Sequence, residues 1–391
     1  MNFKDYVSYL IHLIRCTILD IVPDSLPEGM ELGKLLSLAR KHSIENIAYV
    51  ALAKLNLPQS DALKMFCEYH SHAILNDATQ QYYLEMVTDE LEKREIRHCI
   101  MKGPVIKKLY PTSDLRQSGD LDIFVDDENT ETVKQLMEEM GFAVKDYDRS
   151  HSHDEYEIDK KIVIEIHRTL ISNQCPWQKE CQKIADRLVP VKGYNYRFDM
   201  TDEDYYLYMI GHMAKHMNSS GMGIKMVLDV WVYLNHFNNK LNWDMLNESL
   251  ELCGLKEFEE NIKKLCSYWF EDKQADGMIE CLAAYVAVSG NFGTYEQLVA
   301  GEAARNAGKT SNKAVGRLGY YMSLFFWPYN KMKERYTVLK KYPFLLPFCW
   351  IHRAYKSVTN KEKADSIRSR YDDVDMEYGR KLVEFKKEIG L

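Results

Sequence analysis

The chain has no Cys-x-x-Cys pair, and the nearest two of its nine cysteines, Cys175 and Cys181, are not spaced as zinc ligands. An odd number of scattered cysteines excludes a disulfide-stapled scaffold, and a reducing, cytoplasmic setting is expected. Long apolar runs are also missing, so no segment is expected to span a bilayer. Residues 1–22 have apolar stripes, but Lys4, Asp5, His12 and Arg15 interrupt them. That stretch therefore reads as an amphipathic helix and not as a signal peptide. An excess of basic residues is absent overall, with a formal net charge of −7 over 391 residues. The charge is uneven, however, because residues 301–391 carry 19 Lys and Arg against 10 Asp and Glu, leaving the rest strongly acidic.

What is present is periodicity, and it predicts two or more packed units. Residues 1–95 read as helical throughout, with Leu32, Leu35, Leu36, Leu38 and Ala39 in one stripe and Ile44, Ile47, Ala48 and Ala51 in the next. Pro23, Pro27 and Pro58 punctuate them. A helix over 76–93 then leads into a first core strand over 98–101. Gly103 and Pro104 end that strand and start a short helix, since proline is tolerated in a first helical turn. A polar loop over 112–119 delivers the chain into a strand reading LDIFV. A helix with the stripe Val133, Leu136, Met137 and Met140 follows, closed by Gly141, and then a strand over 142–147. Residues 155–158 and 161–166 predict a hairpin turning at Asp159 and Lys160. From Asp202 onward the pattern is helical. The expected fold class is α+β: a small mixed β-sheet core (96–198) flanked by an N-terminal helical region (1–95), a C-terminal helical domain (199–300) and a basic, aromatic-rich helical segment (301–391).

The chemistry concentrates in the stretch Cys99 to Asp127. Asp120 and Asp122 are separated by one leucine, and on a strand residues two apart share a face. Two acids side by side repel each other unless a cation bridges them, and magnesium prefers carboxylate and phosphate oxygens. A solvated strand end fits the spacing equally well. Glu165 tips the balance, because a carboxylate inside the apolar strand KIVIEI has to be paired, protonated or bound to metal. Three acids on neighbouring strands would hold two magnesium ions, one activating an attacking hydroxyl and the other neutralising nucleotide phosphates.

The turn opened by MKG, the R-x-x-G-D-L-D-I-F-V strand and the V-I-E-I-H strand resemble the uncharacterised nucleotidyltransferase family, a branch of the DNA polymerase beta-like nucleotidyltransferase superfamily. LSLARKHSIENIAY before them and HMAKHMNSSGMGIKMVLDVWVYL after them extend the likeness to about residues 30–240. The resemblance implies a mixed sheet flanked by helices and transfer of a nucleoside monophosphate from a nucleoside triphosphate to a hydroxyl-type acceptor. It implies that Asp120 and Asp122 are the metal-bridging acids, that Glu165 is the third carboxylate and helps activate the acceptor, and that Lys102 and Gly103 form the phosphate-binding turn. This turn departs from the usual Gly-Ser or Gly-Gly form, since Pro104 has no N–H to donate. Arg116 and Ser118 are expected to supply the missing donors, with Arg116 gripping phosphate in a bidentate fork. The donor is most simply ATP. The family's associations suggest a small-molecule, sugar or peptide acceptor.

Two further features are weighed. His212 and His216, four apart on a helix with Asp229 on the next, match no metalloprotease pattern and read as ordinary helix packing or acceptor binding, and the likeness to the family at both positions implies a place on the acceptor side of the site. His151 and His153 read as a solvated loop. Residues 320–358 interleave aromatics with Lys and Arg, which suits either helices that pack their aromatics inward or contact with an anionic membrane surface. Nucleic-acid binding ranks below both, because the remainder of the chain is acidic. The alternative functions are a catalytically silent fold that binds nucleotide or acts as a scaffold, and an enzyme that modifies tRNA or protein.

Overall fold

The computed structural model describes residues 1–147, 152–173, 175–291, 338–359 and 376–391, together with 293, 294, 297, 326, 327, 329, 332, 333 and 336. At the N-terminus a capping box starts α1 (Phe3–Ile18): Asn2 Oδ1 accepts from the Asp5 backbone N–H at 3.1 Å and Asp5 Oδ2 accepts from the Asn2 N–H at 2.7 Å. Helices α2 (Leu32–Lys41) and α3 (Glu45–Leu52) follow the two predicted stripes. Helix α4 (Asp61–Lys93) begins well before the predicted start. Its first half buries only Phe66 and Ala73, so the apolar period is too thin there to read, while Ser60 supplies the cap.

The central sheet comprises β1 (His98–Ile100), β2 (Asp120–Val125), β3 (Ala143–Asp146), β4 (His153–Ile158), β5 (Ile162–His167), β6 (Val189–Pro190) and β7 (Arg197–Asp199). Their spatial order is β3-β4-β5-β2-β1-β7-β6, with β2–β5 and β1–β7 parallel and the other pairs antiparallel. The expected mixed sheet is thus present. Asp159 and Lys160 both adopt positive φ, 56° and 55°, and make the tight turn between β4 and β5. Between the strands lie α5 (Gly103–Ile106), α6 (Thr130–Glu139) and α7 (Gln178–Gln182).

Strand alternation divides the sheet into two faces. Leu121, Ile123 and Val125 of β2 with Ile162, Ile164 and Ile166 of β5 pack against Leu84, Val87 and Leu91 of α4 and Val133, Leu136 and Met137 of α6. The opposite face carries Asp120, Asp122, Glu165 and His167. It is covered by α8 (Asp202–Asn218) and α9 (Ile224–Phe237), whose apolar residues join the larger core with α1–α3, α10 (Trp243–Cys253), α11 (Lys256–Phe270) and α12 (Gly277–Ser289). The N-terminal helices also reach the loop that enters β2. Asp77 of α4 binds Lys107 Nζ at 2.6 Å, Gln80 donates to the Ser118 carbonyl at 3.0 Å, and Asn46 of α3 donates to the Asp114 carbonyl at 2.6 Å. The three sequence regions therefore build one site between them.

Most of the basic 301–391 segment lies outside the described residues. Within it are α13 (Val338–Lys341), α14 (Leu346–Thr359) and α15 (Met376–Glu388). Lys386 of α15 donates to the carbonyls of Asn218 and Ser219 at the end of α8, where a cation satisfies free helix carbonyls. Trp350 donates to the Trp327 carbonyl at 2.7 Å, and Cys349 packs with Met332 and Leu339. Yet Phe344, Phe348, Ile351 and Tyr355, spaced along one side of α14 and the turn before it, are each about 70% exposed.

Candidate active site

Register alone assembles the acidic wall. In the parallel β2–β5 pair Asp120 faces Val163 and Asp122 faces Glu165, and in the antiparallel β4–β5 pair His153 faces His167. Glu165 and His167 share a face for the same reason as Asp120 and Asp122. The result is a group of side chains at the C-terminal half of β5 and the N-terminal half of β2. Ligand atoms of Asp120, Asp122 and Glu165 lie within 4.8 Å of one another, as do those of His153, Glu165 and His167. His167 Nε2 lies 2.7 Å from Asp122 Oδ1 and 3.0 Å from Glu165 Oε2. His153 is not in a solvated loop, as its polar surroundings in sequence suggested. The β4 strand begins at His153, which brings its Nε2 to 3.7 Å from Glu165 Oε1.

Lys102 enters this group from the end of β1. Its Nζ donates to Asp122 Oδ1 at 2.5 Å and stands 4.0 Å from Glu165 Oε2. The residue holds φ at +49°, a conformation uncommon outside glycine, and its carbonyl accepts from the Tyr205 hydroxyl at 2.9 Å. A single ammonium thus stands among three carboxylates, as a bound cation would, and the all-oxygen donor set suits a hard divalent ion. The acids respond differently to burial. Burial raises Asp120, and the neighbouring charge of Asp122 raises it further. Burial would also raise Asp122, but Lys102 and His167 outweigh it and hold that carboxyl below the ordinary carboxylate range. Glu165 is likewise held down, against the effect of burial, by His167 and Lys102.

Gly103 stands where any side chain would collide. A Cβ there would meet Ser118 Oγ at 2.0 Å and Arg116 Nη1 at 3.2 Å. Glycine thus lets the turn close onto the loop before β2. Arg116, expected to grip phosphate, is bound to Asp229 of α9 in a two-pronged pair at 2.8 and 3.2 Å, and its Nη1 donates to Ser118 Oγ at 3.0 Å. The Tyr110 hydroxyl completes that buried cluster at 2.7 Å from Asp229. Much of the Arg116 charge is therefore spent inside the protein, although the residue still lines the cavity.

The cavity, of about 240 Å³, has the acids on its sheet side and cations on its helix side. Helix α8 contributes Tyr208, His212, Lys215 and His216, and α9 contributes Lys225. His212 and His216 place their Nε2 atoms 3.2 Å apart. Burial holds both imidazoles far below their usual value, His216 at about 4. Lys225 is buried with its Nζ on the Gln117 carbonyl at 3.1 Å, and burial next to Arg116 lowers its pKa to about 7. The Lys215 ammonium, also depressed by burial and by Lys102, makes no hydrogen bond or ion pair among the described residues. Sequence reasoning missed both lysines and both strand histidines. The available signals were Lys225 interrupting an apolar helix and the two-residue step from Glu165 to His167.

A family model described as uncharacterised nucleotidyltransferase matches residues 28–271, more than half of the chain. No curated protein and no solved structure matches.

Proposed function

The chain belongs to the uncharacterised nucleotidyltransferase family, and from that premise we propose a metal-dependent enzyme that moves a nucleoside monophosphate from a nucleoside triphosphate, ATP in the simplest case, to a hydroxyl on a small molecule, sugar or peptide. The observation that carries this reading is the convergence of Asp120, Asp122 and Glu165 around the Lys102 ammonium inside a cavity. Two magnesium ions on these acids would lower the pKa of the acceptor hydroxyl and neutralise phosphate charge. The acceptor oxygen forms its bond to the α-phosphorus as the bond to pyrophosphate breaks, and its proton passes to a carboxylate of this group. We assign that proton to Glu165, the third carboxylate of the group. Lys215 and Lys225 hold the leaving phosphates from the helix side, with Gly103, Ser118 and Arg116 shaping the turn beneath them. His212 and His216, neutral and close to the acids, face the acceptor.

Incubation with each of the four α-labelled triphosphates, magnesium and a cell extract tests the reading. Label is expected in small metabolites or peptide, with release of pyrophosphate. Label confined to RNA would replace the small acceptor by a nucleic acid. No transfer from any triphosphate would leave the silent, nucleotide-binding alternative.

A second expectation concerns location. No helix of the described residues is long and apolar enough to cross a membrane. Residues 320–358 nonetheless hold seven Lys and Arg against one acid, Glu334, beside the exposed stripe Phe344, Phe348, Ile351 and Tyr355. We propose that this segment rests on an anionic lipid surface, with its aromatics in the interface and its cations at the headgroups. Flotation with vesicles containing phosphatidylserine is expected to carry the protein at low salt, and Phe348→Glu with Ile351→Glu to abolish it. Flotation unaffected by that pair would refute the assignment.

A further inference from the structure

The two histidines beside the acids are left without a role by the three-carboxylate centre. His167 Nε2 lies within hydrogen-bond distance of two acids at once, 2.7 Å from Asp122 Oδ1 and 3.0 Å from Glu165 Oε2, yet one nitrogen carries at most one proton to share. His153 Nε2 points at Glu165 Oε1 from 3.7 Å, too far for a hydrogen bond. Among the described residues its ring has one hydrogen-bond partner, Ser152 Oγ, 3.3 Å from Nδ1. Cross-strand pairing holds the two rings together, with centroids 5.0 Å apart. Two imidazole nitrogens and a carboxylate thus converge, with their ligand atoms within 4.8 Å of one another.

We propose that His153, His167 and Glu165 form a second metal position that takes a divalent transition ion of the manganese or zinc class, linked through Glu165 to the carboxylate position. It rests on the reading of Asp120, Asp122 and Glu165 as a metal centre, and adds to it a site with nitrogen ligands.

Size supports the assignment. Metal–ligand bonds of about 2.0–2.2 Å place neighbouring ligand atoms about 3 Å apart in an octahedron and about 3.4 Å apart in a tetrahedron. The observed separations, 3.0 Å from Glu165 Oε2 to His167 and 3.7 Å from Glu165 Oε1 to His153, lie near those values. Chemistry selects the ion. Magnesium favours oxygen and keeps its waters, whereas imidazole suits borderline transition ions. Glu165 turns Oε1 towards His153 and Oε2 towards His167 and Lys102, so a carboxylate chelating the second ion through both oxygens would share Oε2 with the carboxylate position. A hard ion on the oxygens and a borderline ion on the nitrogens would then share one acid.

Pulsed electron paramagnetic resonance of the full-length protein with Mn²⁺ in excess Mg²⁺ reads the ligands directly. The expected spectrum shows coupling to ¹⁴N from two imidazoles, falling to one in His153→Gln and one in His167→Gln. Mn²⁺ bound without ¹⁴N coupling, and lost in Asp122→Asn, would place the ion on the carboxylates alone and overturn the proposal while sparing the carboxylate centre. Nitrogen coupling unchanged in both histidine variants would also overturn it. No Mn²⁺ binding with or without triphosphate would remove the carboxylate centre itself. Where a variant fails to fold, absence of ¹⁴N coupling in the wild-type spectrum still overturns the proposal.

Discussion

Asp122→Asn is expected to lower nucleotidyl transfer by about 10³-fold or more while leaving the protein folded. The residue is buried at the centre of the site, and its Oδ1 accepts from Lys102 and lies against His167. Asparagine keeps the shape but removes the negative charge on which cation binding depends. Losing ~4 kcal/mol of transition-state stabilisation corresponds to that fall in rate. Lys102 keeps the charges of Asp120 and Glu165 nearby, so the fold is expected to survive. Steady-state transfer assays and thermal melts separate the two effects, and chelation of divalent ions should match the activity loss in the wild type. Melting should also show the sign of the pKa shift. The Asp122 carboxyl is held below its ordinary value, so its contribution to stability is complete above about pH 4 and is lost as pH falls through the lower folded value. The gap in melting temperature between wild type and variant should therefore narrow on acidification. Normal transfer by the variant would refute the metal assignment.

How much of this was legible in the sequence depends on the range of the interaction. The two-residue step from Asp120 to Asp122 and the lone acid in KIVIEI are local facts of strand geometry, and the structure puts all three acids on one face. The hairpin, the helix around Val133 and the polar loop over 112–119 were legible for the same reason. What could not be read was pairing between distant segments. That Asp122 would face Glu165, and His153 would face His167, follows from strand order and register, which no local pattern encodes. Arg116 illustrates the same limit. A loop cation next to an acid-bearing strand reads as a phosphate ligand, and the pattern says nothing of its ion pair with Asp229, 113 positions away on a helix that folds over the sheet. The start of β4 is a milder case, because RSHSHDE is polar enough to read as loop although a paired strand begins inside it.

Lys225→Met should make the protein more stable at neutral pH and at the same time weaken triphosphate binding, and this opposition is the sharper test of the cationic wall. Lys225 is 7% exposed and lies on α9 among apolar residues, with Asp229 one turn further along the same helix. Its pKa falls from 10.5 to about 7, chiefly through burial and then through Arg116. In the unfolded chain the amine keeps its ordinary value, so the native state bears no penalty above about pH 10.5. That penalty grows as pH falls and is complete below about pH 7. Methionine removes it, and a gain on the order of 2 kcal/mol is expected at pH 7, shrinking towards zero by about pH 10. A bound triphosphate should raise the Lys225 pKa, so binding near pH 7.5 should draw a proton from the buffer. Titration calorimetry in buffers of different ionisation heat would register that uptake in the wild type and its absence in the variant, with affinity lower by about tenfold. Lys215→Met should weaken binding similarly, since its ammonium faces the cavity with no partner among the described residues. A variant of Lys225 that melts lower at pH 7, or binds triphosphate as the wild type does, would show that the lysine is held by the fold and not kept for phosphate.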